Sequence, residues 1–308
     1  MNKPKETHMR IGLSSYSLVG ALRTGEMTLV SAIDWAAKNG AEVFELVPIG
    51  FRFDEEATGK INTAFIKEVK QAAKDAGIPL VNYSVGGNLL QEGEAQRKEI
   101  DRIKRDVDIA AELGLSRMRH DIGFWGSPLQ ENTTYNFDQK LPAILEAVNE
   151  ISAYAKDKGV VTMLENHGLF VNGMDRVQRV INGVDTGNYG LLMDTGNIIC
   201  VDEDPLAFVR LMARQARMVH LKDFYVRATA PGDTAPNYPN GAWFRSLGGT
   251  YLRGAILGQG DLDVKNTIRA LREAGYTGDV AIEFEGMEEC RYASAVSIAN
   301  AKRMLAEA

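Results

Sequence analysis

The sequence predicts a single (β/α)8, or TIM, barrel with a long loop after its seventh strand. Three observations carry that prediction. Short apolar runs alternate with longer segments of helical period along all 308 residues. Eight such pairs follow one another without a linker or low-complexity tract, so residues 1–308 read as one domain. No Gly-x-Gly-x-x-Gly follows the first apolar run, which argues against an open doubly wound sheet.

The elements follow in order. Residues 1–9 are polar and charged and read as an N-terminal extension, with no apolar core of a signal peptide. The first strand is Arg10–Ser15, and its helix, about Leu29–Lys38, has Thr28 as N-cap and Gly40 beyond its end. Glu42–Val47 is the second strand, stopped by Pro48. The third helix-bearing unit begins with Pro79–Val85, after a helix over about Thr63–Ala76 that Gly77 closes. A charged helix over about Glu94–Leu113 ends at Gly114 and leads to the fourth strand, Ser116–Ile122. The next helix is expected over about Gln139–Lys158, with Pro142 in its first turn, where a missing N–H costs little.

Val160–Glu165 is the fifth strand and Tyr189–Asp194 the sixth, with a short helix over about Met174–Ile181 between them. Asp204-Pro205 opens the next helix as N-cap and N1. Met218–Lys222 is the seventh strand. Residues 224–260 then break the rhythm with many Gly and Pro residues, and a loop of that size reads as a lid or contact surface. Asp263 caps a helix over about Val264–Ala274. Asp279–Glu285 is the eighth strand, and the last helix runs about Glu289–Leu305.

A formal net charge of −6 argues against non-specific nucleic-acid binding and offers no basic patch for a membrane. No apolar run approaches the ~20 residues of a membrane span. Two cysteines, Cys200 and Cys290, form no disulfide framework and lack zinc-finger spacing. The expectation is a reduced, cytoplasmic protein.

Catalytic residues of such barrels stand at the C-terminal strand ends. Those ends carry Glu45, His120, Glu165, Asp194, His220, Glu283 and Glu285. The chain has only four histidines, so two of them at strand ends is informative. Alternation puts Val161, Met163 and Glu165 on one face, and Ala281, Glu283 and Glu285 on another. Glu165, Asp194, His220 and Glu283 thus arrive from four consecutive strands. Three converging carboxylates repel unless a proton or a cation offsets them. One imidazole with three carboxylates suits a divalent cation, Mn²⁺ first, then Mg²⁺ or Co²⁺, with Zn²⁺ and Fe²⁺ also compatible.

Five runs carry a resemblance: Val161–His167 (VTMLENH), Leu191–Asn197 (LLMDTGN), Met218–Asp223 (MVHLKD), Gly258–Asp263 (GQGDLD) and Gly275–Gly286 (GYTGDVAIEFEG). In order and spacing they resemble the sugar phosphate isomerase/epimerase superfamily, the xylose-isomerase-like barrels. The resemblance implies that Glu165, Asp194, His220 and Glu283 hold one divalent metal, and it favours Glu283 over Glu285 as the last ligand. It also implies a keto-sugar isomerase or epimerase in which Glu165 and Glu283 pass a proton. The second reading is a lyase on a 3-keto-sugar, such as a keto-inositol dehydratase or a C-glycoside-cleaving subunit. The chain departs from the epimerase branch at Asn197, where that branch has a His, and in the segment after the His ligand, where that branch has an Arg and the nearest one here is Arg227.

His120 is a candidate base near neutral pH. His167, Lys222, Glu45, Trp125, Trp243 and Arg253 are candidate substrate contacts. The partner is expected to be a small sugar or sugar derivative, with no nucleic acid and no membrane. A homo-oligomer or a small partner subunit could dock through residues 224–260.

Overall fold

The computed structural model describes residues 9–55, 58–123, 131–232 and 241–308. Eight parallel strands close into a barrel: β1 (Arg10–Ser14), β2 (Phe44–Leu46), β3 (Leu80–Val85), β4 (Arg117–His120), β5 (Val161–Glu165), β6 (Tyr189–Asp194), β7 (Ala216–Leu221) and β11 (Asp279–Ile282). Between β7 and β11 lie three short strands, β8 (Phe224–Arg227), β9 (Phe244–Arg245) and β10 (Tyr251–Gly254), described below. Around the barrel stand α1 (Val19–Thr24), α2 (Leu29–Lys38), α3 (Thr63–Asp75), α4 (Gly93–Leu113), α5 (Thr134–Asp157), α6 (Met174–Gly183), α7 (Pro205–Met212), α8 (Val264–Glu273) and α9 (Cys290–Glu307).

The predicted helix starts hold where a side chain caps them. Thr28 and Ser31 form a reciprocal capping box on α2, and Asp204 accepts the Ala207 N–H ahead of Pro205 on α7. Helix α5 starts earlier than the sequence suggests, because Thr133 caps it by accepting the Asn136 N–H at 3.1 Å. Pro142 therefore sits well inside the helix and not in its first turn. The short helix α1 and the 3-10 turn Ser15–Leu18 before it were not anticipated.

The pleat of the barrel explains how the site is built. Val43, Val81, Met163, Leu192, Met218 and Ala281 form a small apolar cluster of their own, apart from the main core between strands and helices. All but Val81 stand two residues before a polar group at the strand's end: Glu45, Glu165, Asp194, His220 and Glu283. Period two therefore stacks one functional layer directly over one apolar layer. Gly12 in β1 serves the same packing, since a Cβ there would meet the Val43 carbonyl oxygen at 2.1 Å.

The segment after β7 is not the continuous loop expected over residues 224–260. Strands β8, β10 and β9 pair antiparallel in that order, over a small core of Cys200, Phe224 and Leu252. Alternating apolar residues in Phe224–Arg227 and Tyr251–Gly254 carry that signal, but the Gly and Pro residues between them mask it. Asp223 anchors the excursion. Its buried carboxylate accepts the N–H groups of Phe224, Gly258 and Gly260 at 2.9 Å and of Leu262 at 3.2 Å. Asp202, whose backbone lies in the left-handed region, accepts from Ser246 Oγ at 2.6 Å and the Gly248 N–H at 2.5 Å.

Replacing Asp223 strands several N–H groups together. Asp223→Ala is expected to lower stability by about 3 kcal/mol, read from the urea midpoint, because buried donors without partners cost roughly 1–3 kcal/mol each and some recover water. Limited proteolysis should then cut first between residues 224 and 262.

Candidate metal centre

His220 is the pivot of the site. It lies on β7 directly beside Asp194 of β6 in the parallel ladder. Its Nε2 bonds to Glu45 Oε2 at 2.8 Å. Glu45 in turn accepts from Asn82 Nδ2 and Ser84 Oγ, both at 2.8 Å on its other oxygen. That carboxylate favours a proton on Nε2 and turns Nδ1 inward. Nδ1 has no hydrogen-bond partner, and stands 3.7 Å from Glu165 Oε1 and 3.8 Å from both Asp194 Oδ2 and Glu283 Oε2.

One ligand atom from each of these four residues lies within 4.8 Å of every other. Donors around a small divalent cation at about 2.1 Å stand about 3.0–4.2 Å apart, a span that holds the 3.7–3.8 Å from His220 Nδ1 to the three carboxylate oxygens. The unpartnered atoms fit it as well. Asp194 Oδ1 is taken by the Gly196 and Asn197 N–H groups at 2.8 and 2.7 Å, while its buried Oδ2 has no hydrogen bond and points at the cluster. Glu283, and not Glu285, is the strand-end glutamate of the four.

Burial raises the Asp194 carboxyl, and Glu165 and Glu283 add to that against the opposing pull of Lys222. Burial would raise Glu165 as well, but the Arg119 guanidinium and His220 outweigh it and hold this carboxyl well below the usual range. Arg119 Nε lies 2.7 Å from Glu165 Oε2, and Arg119 Nη2 lies 2.9 Å from Asp121 Oδ1. Asp121 Oδ1 continues the chain to His167 Nδ1 at 3.1 Å. On the opposite side Lys222 Nζ is 2.8 Å from Glu283 Oε2, 3.4 Å from Asp194 Oδ2 and 3.5 Å from Glu285 Oε2. Asn197 joins the two halves, donating to Glu165 Oε1 at 3.0 Å and accepting from Lys222 Nζ at 3.0 Å.

A cavity of about 980 Å³ opens above this layer. Glu165, His167, Lys222, Glu283 and Glu285 line it, together with Tyr16, Arg119 and Asp121. His167 and Lys222, expected as substrate contacts, thus lie on the cavity wall. Others are corrected. Glu45 is fully buried and does not face the cavity; its contact is His220. His120 is also fully buried and points away from the barrel interior, with Nδ1 toward the Asp121 carbonyl at 3.2 Å and its ring 6.1 Å from that of Tyr189. It is no base for this site. Trp243 and Arg253 sit beside the cavity without lining it. The Arg253 guanidinium lies 4.9 Å from the Tyr225 ring and 5.2 Å from the Trp243 ring, so these residues hold the excursion together. Trp125 falls outside the described residues.

Four residues at the site were missed: Tyr16, Arg119, Asp121 and Asn197. Alternation held the signal for two of them. Arg117, Arg119 and Asp121 share the face opposite His120.

The family model for the xylose isomerase-like TIM barrel matches residues 33–307, and the chain belongs to that family. The curated relatives it matches include an inosose dehydratase from Clostridium beijerinckii, 25% identical over 173 residues that make up 56% of each chain. The chain spans about half the length of these curated relatives. Among solved structures it resembles a 3-keto-D-glucoside 4-epimerase from E. coli, with a TM-score of 0.68, 17% identity and coverage of 96% of this chain and 99% of that one. A xylose isomerase-like TIM barrel protein from Mycobacterium smegmatis in complex with magnesium is similar at a TM-score of 0.66 and 16% identity, covering 97% of this chain and 96% of that one. Among the described residues, no helix is long and apolar enough to cross a membrane.

Two outcomes follow from the geometry. His220→Ala and Asp194→Ala should each abolish stoichiometric divalent-metal binding, and Glu45→Gln should weaken it by about ten- to hundredfold, measured by chelator competition. His120 gives a pH signature. Burial lowers it to about 4 from 6.5, so the unfolded chain takes up a proton that the folded chain refuses. Stability should fall as pH drops through 6.5 toward 4, by up to roughly 3 kcal/mol from this residue, and His120→Leu should remove that part of the slope in urea titrations.

Proposed function

We propose that the protein is a divalent-metal-dependent isomerase or epimerase of a keto-sugar, acting by proton transfer at the carbon beside the carbonyl. One observation carries the reading. Carboxylates from β5 and from just beyond β11, Glu165 and Glu283, flank the same inward-facing His220 nitrogen at 3.7 and 3.8 Å beneath the cavity. A divalent cation held by Glu165, Asp194, His220 and Glu283, Mn²⁺ in the first instance, supplies Lewis-acid polarisation of a sugar carbonyl.

The remaining work falls to side chains. One of the two glutamates takes the proton from the carbon next to the carbonyl, and the other returns one from the opposite face. Return to the same carbon inverts it; return to its neighbour moves the carbonyl. The Arg119 guanidinium holds Glu165 ionised and suits it to take the proton, and the returning proton comes from Glu283, beside the Lys222 ammonium. Tyr16, His167 and Glu285 face the cavity and are suited to bind sugar hydroxyls.

Elimination is the second reading, with a leaving group expelled where the first reading returns a proton. The inosose dehydratase relatives favour it, as does the Asp121–His167 pair at 3.1 Å, which sets an oriented imidazole over the same space.

Both readings are tested by incubating the Mn²⁺-loaded protein with ketohexoses and keto-inositols in D₂O. Deuterium in recovered or isomerised sugar is the expected result. Glu165→Gln and Glu283→Gln should each slow its entry by about 10²–10⁴-fold, with metal content measured in parallel. Loss of water from the sugar without deuterium in recovered sugar would assign the elimination. Neither signal with any of these sugars would refute both.

A further inference from the structure

A buried lysine shares the donor oxygens of the candidate metal centre. Lys222 is 3% exposed and follows His220 by two residues, so both side chains leave the end of β7 on the same face. Its stem passes Gly196, where a Cβ would come within 3.0 Å of the Lys222 Cβ, and its ammonium lies 6.0 Å from the centre of the Phe224 ring. An ammonium in such a place is costly unless anions meet it.

Nζ lies 2.8 Å from Glu283 Oε2 and 3.4 Å from Asp194 Oδ2. These are the same two oxygens that stand 3.8 Å from His220 Nδ1. Lys222 thus reaches two of the four donor groups, and it lines the cavity as it does so. A divalent ion at about 2.1 Å from Glu283 Oε2 would stand at most about 5 Å from Nζ in this position. Positive charges that close in a buried site repel, and both draw on the same oxygens. The ammonium has other partners at hand. Asn197 Oδ1 lies at 3.0 Å and Glu285 Oε2 at 3.5 Å, and neither residue belongs to the four. The flexible stem of a lysine lets Nζ shift toward them without moving the backbone.

We propose that Lys222 is an internal rival of the metal ion. Its ammonium competes with the ion for Glu283 Oε2 and Asp194 Oδ2, and passes to Glu285 and Asn197 when the ion is held. Lys222 thereby lowers the metal affinity of the site and keeps the ion exchangeable, and Glu285 raises that affinity by receiving the ammonium. This rests on the reading that Glu165, Asp194, His220 and Glu283 hold one divalent ion.

The test is Mn²⁺ affinity by chelator competition, together with urea unfolding in EDTA and in saturating Mn²⁺. Lys222→Met keeps most of the stem and removes the charge. It should bind Mn²⁺ about ten- to hundredfold more tightly than the wild type. In EDTA it should unfold at lower urea than the wild type, and saturating Mn²⁺ should close or reverse the gap, because tighter binding to the folded state adds stability. A lysine with a merely structural role would lower stability equally in both buffers. Glu285→Gln removes the charge that receives the ammonium and should weaken Mn²⁺ binding about three- to tenfold. It decides the question if Lys222→Met folds in neither buffer. Lys222→Met that binds Mn²⁺ no more tightly, an equal loss of stability in the two buffers, or Glu285→Gln with unchanged or tighter binding would overturn the proposal. If the wild type binds Mn²⁺ while these results fail, the metal centre stands and the rivalry falls; a wild type that binds no Mn²⁺ removes both.

Discussion

Three carboxylates, Glu165, Asp194 and Glu283, meet around one imidazole at the dry end of a barrel, and their mutual repulsion governs the residues around them. Several neighbouring groups offset part of that charge, while Glu285 adds to it. Arg119 pairs with one oxygen of Glu165, Lys222 reaches Glu283 and Asp194, and two backbone N–H groups bind Asp194 Oδ1. What is left without a hydrogen bond, Asp194 Oδ2 and His220 Nδ1, faces one point. A cation there would complete the electrostatics, with His220 Nδ1 as its nitrogen donor. Glu45 supports this from below, where a carboxylate buried without His220, Asn82 and Ser84 would be costly.

The barrel supplies the rigidity that this arrangement needs. Each donor rides on a strand whose residue two positions earlier packs into the apolar layer beneath, so donor spacing follows strand spacing. Asp223 does for the excursion what the pleat does for the ligands. Four N–H groups from three turns of chain converge on it just after β7 ends, one residue beyond Lys222. The excursion therefore starts from a fixed point beside the site, and its Ala242 and Phe244 reach the cavity wall.

Much of the fold was legible because it is written in local periods. Alternating runs and helical stripes marked the eight barrel strands, and capping residues such as Thr28, Asp204 and Asp263 marked helix starts. Thr133 was passed over in favour of Pro142, which misplaced the start of α5. The excursion was read as loop, since strands as short as Phe244–Arg245 are defined by their partners. At the site, the four residues that could hold a metal ion were legible from strand ends and resemblance, and His167 and Lys222 stand beside them. His120 drew attention as a rare residue type, although Arg119 and Asp121 hold the inward face.

The sequence by itself determined which strand ends carry oxygen and nitrogen, because side-chain direction on a strand has a period of two and needs no knowledge of the rest of the chain. Only the tertiary structure decided what each group is for. Glu45 and His220 are 175 residues apart, and Glu165 meets Arg119 across two neighbouring strands. Whether a carboxylate serves as ligand, buttress or cavity wall depends on which distant charge closure of the barrel brings to it. That is a property of ring closure and register, and no local period encodes it.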